Sequence, residues 1–152
     1  MYEDEINKIS TFIINLIDTK NIKDKDCIIF DIDGTLIDHN QCLIIPIVNI
    51  LFHAYNMGIN IILITSRQAD ERGIKYTKEQ LALLNIPYKR MYMKKYIYDN
   101  DHDYKRKCRI DVKKNGYNAL MAIGDNHWDV FDWPGRDISE YVKHPFLLPK
   151  KV

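Results

Sequence analysis

The sequence predicts an α/β fold built around a mostly parallel sheet. Short apolar runs that suit buried strands alternate along the chain with segments whose apolar residues recur at helical spacing. This alternation is typical of right-handed β-α-β crossovers, which place successive strands parallel to one another. The chain has 152 residues, a length that buries about two-thirds of the unfolded surface in one core, so we expect a single domain over 1–152.

The elements follow from local patterns taken in order. A single apolar stripe over 4–19 predicts an amphipathic helix within an N-terminal segment, 1–20, before the first strand at 27–31. Pro46 favours a helix start and Gly58 a helix end, which indicates a helix between them. The other predicted elements are strands at 59–64, 88–93 and 119–123, helices at 68–85 and 104–115, and a short strand near 146–148.

Charge and cysteine content exclude several classes of protein. Lys and Arg total 22 against 21 Asp and Glu, so no global field indicates a nucleic-acid or membrane partner. The cysteines, Cys27, Cys42 and Cys108, lack paired metal-ligand spacing, which indicates free thiols of a reducing compartment rather than a zinc site. The acidic N-terminus and the absence of an apolar run near about 18 residues predict neither a signal peptide nor a membrane span, and hence a cytoplasmic protein.

The ends of three predicted strands carry the residues that point to chemistry. The first strand is apolar throughout and ends in Asp31 and Asp33, followed by Gly34. Thr65 follows the second strand, and Asp125 follows the fourth. In open α/β sheets, ligands bind beyond the carboxyl ends of such buried strands. We therefore expect an active site at this edge of the sheet.

These segments resemble, in order, the four motifs of the haloacid dehalogenase (HAD) superfamily. The resemblance spans 27–132 and implies a three-layer sandwich with a Rossmann-like sheet. The short spacing between Thr35 and Thr65 leaves room for little or no cap domain. Thr65-Ser66-Arg67, the basic start of the next helix and Gly116-Tyr117 are similar to the acid phosphatase branch that includes the class B and plant vegetative storage enzymes. The motifs are Asp31-Ile32-Asp33-Gly34-Thr35-Leu36, Thr65, the lysine of Tyr104-Lys105, and Gly124-Asp125-Asn126-His127-Trp128-Asp129.

The chemistry of these residue types points to phosphomonoester hydrolysis. Asp31 is the expected nucleophile and would form an aspartyl-phosphate, and Asp33 is the expected general acid and base. The oxygen-rich set Asp31, Asp33 and Asp125 suits the hard cation Mg²⁺, and the resemblance implies that Asp33 contributes its backbone carbonyl. The phosphate-binding set is expected to be Gly34, Thr65, Ser66, Arg67 and Lys105, of which Thr65 and Lys105 also stabilise the transferring group.

Some assignments within these motifs have a second interpretation. Lys107 lies close enough in sequence to compete with Lys105 as the phosphate-binding lysine. Asp129 is either a partner of the metal-binding acid or a helix-capping residue, and His127 and Trp128 either touch substrate or serve the core.

Substrate and partners are less determined than the reaction. The expected substrate is a phosphorylated small molecule, a nucleotide or a nucleic-acid end. The basic and tyrosine-rich segment 88–98 is either one strand followed by a solvated loop or a nucleotide-binding segment. The second interpretation gives a polynucleotide 3′-phosphatase or nucleotidase as an alternative function. A non-catalytic HAD-fold binding protein is a further alternative. A signalling receiver domain is disfavoured because the strand at 88–93 ends without the acid that such domains phosphorylate. The helix at 4–19 packs on the sheet or mediates a homo-oligomer.

Overall fold

The computed structural model describes residues 1–132 and 141–150. In this part of the chain, five parallel strands form one sheet. The predicted α/β fold with a parallel, Rossmann-like sheet is confirmed. The helices are α1 (Tyr2–Asp18), α2 (Ile45–Asn56), α3 (Glu71–Leu83), α4 (Asp101–Lys114) and α5 (His127–Val130), and the strands are β1 (Asp26–Phe30), β2 (Asn60–Gln68), β3 (Arg90–Lys94), β4 (Asn118–Gly124) and β5 (Val142–Leu147).

The strand order β3-β2-β1-β4-β5 fixes where a ligand can bind. From central β1 the chain adds β2 and β3 on one side and then crosses to β4 and β5 on the other. The reversal leaves a crevice between the carboxyl ends of β1 and β4, the usual ligand position in such sheets. Asp31 and Asp125 follow these two strands, and the Asp31 amide donates to the Ile123 carbonyl at 3.1 Å.

The sheet is buried on both faces, which explains why its strands are apolar throughout. Ile28 and Phe30 of β1 join the larger core beneath α1, α2 and α3, whereas Cys27 and Ile29 join a second core beneath α4. These alternate side chains are at most 2% exposed. Both faces of β1 thus hold its carboxyl end, and Asp31 with it, in a fixed position.

The structure corrects several predicted boundaries. β2 continues through Gln68, which pairs with Lys94 after a register shift, so Thr65 and its two successors lie within the strand. α3 begins at Glu71, capped by the Asp70 carboxylate, and α4 begins at Asp101, capped by the Asn100 side chain. Within 1–132 and 141–150, none of the helices is long and apolar enough to cross a membrane.

Candidate active site

A buried lysine connects two of the acids at the carboxyl end of the sheet. Lys105 Nζ lies 3.0 Å from Asp31 Oδ1 and 2.8 Å from Asp129 Oδ1, and it donates to the Ile64 carbonyl at 2.7 Å. Lys105 is 2% and Asp31 7% exposed. The other oxygen of Asp31 accepts a 3.4 Å hydrogen bond from the Thr35 hydroxyl. One ammonium group therefore joins β1, β2 and the turn after β4.

The electrostatics of this cluster favour a further positive charge. Burial raises the pKa of Asp31, Lys105 opposes that rise, and the charges of Asp129 and Asp125 add to it. Burial by itself would lower the pKa of Lys105, but Asp31 and Asp129 raise it, so the ammonium stays protonated. The buried Lys105 ammonium thus faces the buried carboxylates of both Asp31 and Asp129.

Three of these carboxylates form a set that fits a divalent cation, called here the metal-binding set. Oxygens of Asp31, Asp125 and Asp129 all lie within 4.8 Å of one another. All three donors are hard oxygens, and their combined charge exceeds that of Lys105, so the set suits a hard dication. Two members were predicted from the sequence, and Asp129 joins them.

The Asp33 carboxylate is not part of that set. It accepts two hydrogen bonds from Arg67, at 2.8 Å from Nε and 2.7 Å from Nη2. Nη1 of the same arginine donates to Gln80 Oε1 at 2.7 Å and to Thr77 Oγ1 at 3.3 Å, which anchors it to α3. The Asp33 side chain is 59% exposed and that of Arg67 14%. A fixed guanidinium therefore holds Asp33 at the solvent side of the site, and the predicted role of its backbone carbonyl in metal binding stays a prediction.

A cavity of about 340 Å³ gathers most of the residues that the sequence predicted for the site. Gly34 and Asp125 line the neighbouring cavity instead, and Asp33 borders both. The cavity of about 340 Å³ is called here the phosphate cavity, after the phosphate site that the sequence predicts there. It is lined by Asp31, Asp33, Thr65, Ser66, Arg67, Asp101, Lys105, Asn126, Trp128 and Asp129.

Hydrogen bonds fix the β2 side of the phosphate cavity. The Tyr104 hydroxyl donates to the Thr65 carbonyl at 2.7 Å, and the Ser66 hydroxyl donates to Asp101 Oδ1 at 2.9 Å. Lys94 Nζ lies 2.9 Å from that carboxylate oxygen. Burial opposes ionisation of Asp101, but the hydrogen bonds from Lys94 and Ser66 lower its pKa overall. Residues of β2, β3 and α4 are thereby locked together.

The helix α4 separates the two candidate lysines. Lys105 points into the site, whereas Lys107 is exposed and lines a different cavity. One turn after Lys105, the buried Arg109 donates to the Trp128 carbonyl at 2.8 Å and to Asp132 Oδ1 at 3.3 Å. Arg109 therefore holds α5, the single helical turn that carries Asp129.

Two glycines let the acids approach the backbone closely. Gly34 has φ +79°, and a Cβ there would lie 2.2 Å from Asp125 Oδ2. A Cβ on Gly124 would lie 2.2 Å from the Cβ of Asp129. The glycines of the first and fourth motifs thus provide room for carboxylates of the metal-binding set.

Several further positions of the site carry little signal in the sequence. Asp101 belongs to none of the four motifs. In the sequence it is only an acidic residue of the kind common at helix starts. Lys150 reaches the site from beyond β5, with Nζ 3.5 Å from Asp125 Oδ2, and nothing near it in sequence indicates this. Trp128 lines the phosphate cavity, whereas the His127 ring packs against His102, with centroids 5.3 Å apart.

A protein-family model matches most of the chain. Residues 39–150 match the HAD superfamily, subfamily IIIB (Acid phosphatase). The match begins after Asp31 and Asp33. A search of curated protein sequences finds no match.

Solved structures share the fold. A chain of the Pnkp1/Rnl/Hen1 complex aligns with TM-score 0.71 and 20% identity over 84% of this chain and 47% of its own length. A chain of the Pnkp1/Rnl/Hen1 RNA repair complex aligns with TM-score 0.62 and 22% identity over 68% and 37%. This chain thus spans about half or less of both. The class C acid phosphatase from Bacillus anthracis aligns with TM-score 0.67 and 12% identity over 98% and 76%.

The family match covers most of the chain and three of the four motifs, and it confirms the resemblance to the HAD superfamily and its acid phosphatases. Members of this family hydrolyse phosphate esters and generally rely on a divalent metal ion, which the clustered carboxylates of Asp31, Asp125 and Asp129 suit. The chain belongs to the HAD superfamily, subfamily IIIB (Acid phosphatase).

Proposed function

We propose that this chain is a Mg²⁺-dependent phosphomonoesterase that works through an aspartyl-phosphate on Asp31. The observation that supports this most strongly is the buried Lys105, 3.0 Å from Asp31, in a cavity that Thr65 and Ser66 also line. A phosphate monoester is a dianion, so a carboxylate can attack it only where fixed positive charge offsets the repulsion. The Lys105 ammonium supplies such charge beside the nucleophile.

The reaction divides into two transfers. An Asp31 oxygen attacks phosphorus, the ester P–O bond breaks, and Asp33 gives a proton to the departing alkoxide. A water molecule then attacks the phosphorus of the aspartyl-phosphate, and Asp33 takes a proton from that water. The bond between phosphorus and the Asp31 oxygen breaks, and inorganic phosphate leaves. Lys105 and the hydroxyl of Thr65 stabilise the equatorial oxygens in both steps.

Arg67 and the metal-binding acids serve this chemistry from opposite sides. Arg67 orients the Asp33 carboxylate through its paired hydrogen bonds and offers its charge to the substrate phosphate. Asp31, Asp125 and Asp129 would hold Mg²⁺, together with the Asp33 backbone carbonyl. When bound there, Mg²⁺ supplies two positive charges that offset the negative charges of the substrate and of the carboxylates.

The direct test is hydrolysis of p-nitrophenyl phosphate with Mg²⁺. We expect Asp31→Asn to lower kcat by at least about 10³-fold because the amide cannot attack phosphorus. Asp24→Asn, in an exposed turn, is the matched control and should keep the wild-type rate. Chelation with EDTA should abolish turnover and Mg²⁺ should restore it. Unchanged turnover in Asp31→Asn, or activity that survives EDTA, would contradict the proposal.

A second candidate, a polynucleotide 3′-phosphatase or nucleotidase, is favoured by an aromatic loop that ends at Asp101, a residue of the phosphate cavity. Tyr96 is 67% and Tyr98 97% exposed, and the loop they occupy is held at its ends by the ion pair between Lys94 and Asp101. Exposed aromatic rings next to lysines suit stacked bases. The similar chains of the RNA repair complex give this candidate a structural precedent in fold.

Oligonucleotide substrates test this second candidate. The double variant Tyr96→Ala, Tyr98→Ala should raise KM for a 3′-phosphorylated oligonucleotide by about ten-fold or more, since each stacked base contributes about 1–3 kcal/mol. The KM for p-nitrophenyl phosphate should change far less. Tyr55→Ala, which removes another exposed tyrosine, on α2, is the control. Equal changes for both substrates would refute base stacking at this loop.

A further inference from the structure

We propose that the second cavity beside Asp33 receives the leaving group and that Lys150 selects leaving groups carrying another phosphate. This inference rests on the proposed phosphatase mechanism and specifies its substrate class. The cavity, called here the leaving-group cavity, measures about 320 Å³. Its polar lining includes Asp33, Asp38, His39, Gln41, Asp125 and Lys150.

The position of Asp33 assigns the two cavities to the two halves of the substrate. In an in-line transfer the attacking and leaving oxygens lie on opposite sides of phosphorus. Asp31 attacks from the buried end of the phosphate cavity, and the leaving oxygen must lie near Asp33, its proton donor. Asp33 borders both cavities. The rest of the leaving group therefore continues past Asp33 into the leaving-group cavity.

β-Bridges and hydrogen bonds hold the wall of this cavity in place. Ile37 forms β-bridges with Asp33 and Leu43. The Asp38 carboxylate accepts hydrogen bonds from the amide of Cys42 at 3.0 Å. Gln41 Oε1 accepts a 2.6 Å hydrogen bond from Gln80 Nε2 of α3. Since its wall is fixed in advance, the cavity can bind a leaving group without first ordering its own lining.

Lys150 supplies the positive charge at the mouth of the cavity. Its Nζ donates to Asn126 Oδ1 at 2.6 Å and lies 3.5 Å from Asp125 Oδ2, while its side chain is 62% exposed. Asp33 pairs with Arg67, and Asp125 accepts a 3.4 Å hydrogen bond from Asn126 Nδ2, so each of these carboxylates has a donor other than Lys150. The Lys150 ammonium is thus available to an anion, and lysine is a common phosphate ligand in proteins.

The test compares a nucleoside 3′-monophosphate with the matching nucleoside 3′,5′-bisphosphate, which adds one phosphate to the same leaving group. We expect wild type to prefer the bisphosphate in kcat/KM, with the nucleoside 5′-monophosphate as product. Lys150→Gln should reduce that preference by about ten-fold, mainly through KM, as expected for loss of one charged hydrogen bond. Lys150→Arg should retain most of it. Lys8→Gln, an exposed lysine on α1, is the matched control.

Binding provides a readout that does not depend on turnover. In an Asp31→Asn background, calorimetric titration should show tighter binding of the bisphosphate, and Lys150→Gln should remove that difference. Equal losses for both nucleotides in Lys150→Gln, or a lost preference in Lys8→Gln instead, would overturn the inference. Wild-type turnover of both nucleotides without a preference for the bisphosphate would overturn this inference alone. Absence of turnover on every phosphoester would overturn the proposed function, and the titration would then decide the role of Lys150.

Discussion

Alanine at Gly34 should disable the metal-binding set without unfolding the protein. The new Cβ would lie 2.2 Å from Asp125 Oδ2, whereas ordinary contact begins at 3.4 Å. The carboxylate therefore has to retreat by about 1.2 Å. Misplacing a group in an active site by about 1 Å can lower the rate by about 10²-fold. We expect a loss of that size in kcat/KM, together with a higher Mg²⁺ concentration for half-maximal activity.

A second glycine separates this effect from backbone strain. Gly58 has φ +85°, close to the +79° of Gly34, but a Cβ there meets nothing within 4 Å. Both alanine variants place a non-glycine residue in the left-handed region, at about 1–2 kcal/mol. Urea unfolding should show a loss of this order for each. Only Gly34→Ala should also lose phosphatase activity.

The comparison can fail in two informative ways. If Gly34→Ala keeps wild-type activity and Mg²⁺ dependence, Asp125 does not contribute to the metal-binding set. If Gly58→Ala loses activity to the same extent, the loss reflects strain in the fold rather than displacement of Asp125. Either result would refute the reasoning from the close approach at Gly34.

Two further predictions use matched pairs on α4. Lys105→Met should lower kcat by at least about 10²-fold, since a preorganised charge at the transferring group is removed, whereas the exposed Lys107→Met should leave the rate near that of wild type; equal losses would refute the assignment. Arg109→Leu should lower the free energy of unfolding by about 3–5 kcal/mol, because it leaves buried acceptors and the Asp132 carboxylate with fewer donors. Arg106→Leu, which loses a half-buried ion pair to Asp132, should lose about 1 kcal/mol or less in the same urea titration.

The fold was predictable because burial on both faces leaves a plain signal in the sequence. The apolar run of β1, continuous where a half-buried strand would alternate, predicts a central strand, and its neighbours repeat the pattern. Polar residues directly after such runs must then meet at one edge of the sheet. Asp31, Thr65 and Asp125 could be grouped on this basis before their distances were known.

Boundaries that depend on tertiary pairing were not predictable in the same way. β2 extends to Gln68 because β3 offers Lys94 as a partner after a register shift. Local composition there changes from apolar to polar, which indicates the end of a strand when read alone. Lys150 illustrates the same limit, since it reaches Asn126 across a sequence separation of 24 residues. Contacts of this kind are set by the packing of whole elements.

The division of labour among the acids required the structure for a specific physical reason. Asp33 and Asp129 are each close in sequence to a metal-binding acid, and composition does not distinguish them. Their partners do, since Asp33 pairs with Arg67 at the surface and Asp129 with Lys105 in the interior. A residue that gives its proton to the leaving alkoxide and then regains one from the attacking water benefits from contact with solvent. Phosphate and metal binding instead benefit from burial, where fixed charges act more strongly. The exposed ion pair and the buried one therefore suit proton transfer and charge stabilisation respectively.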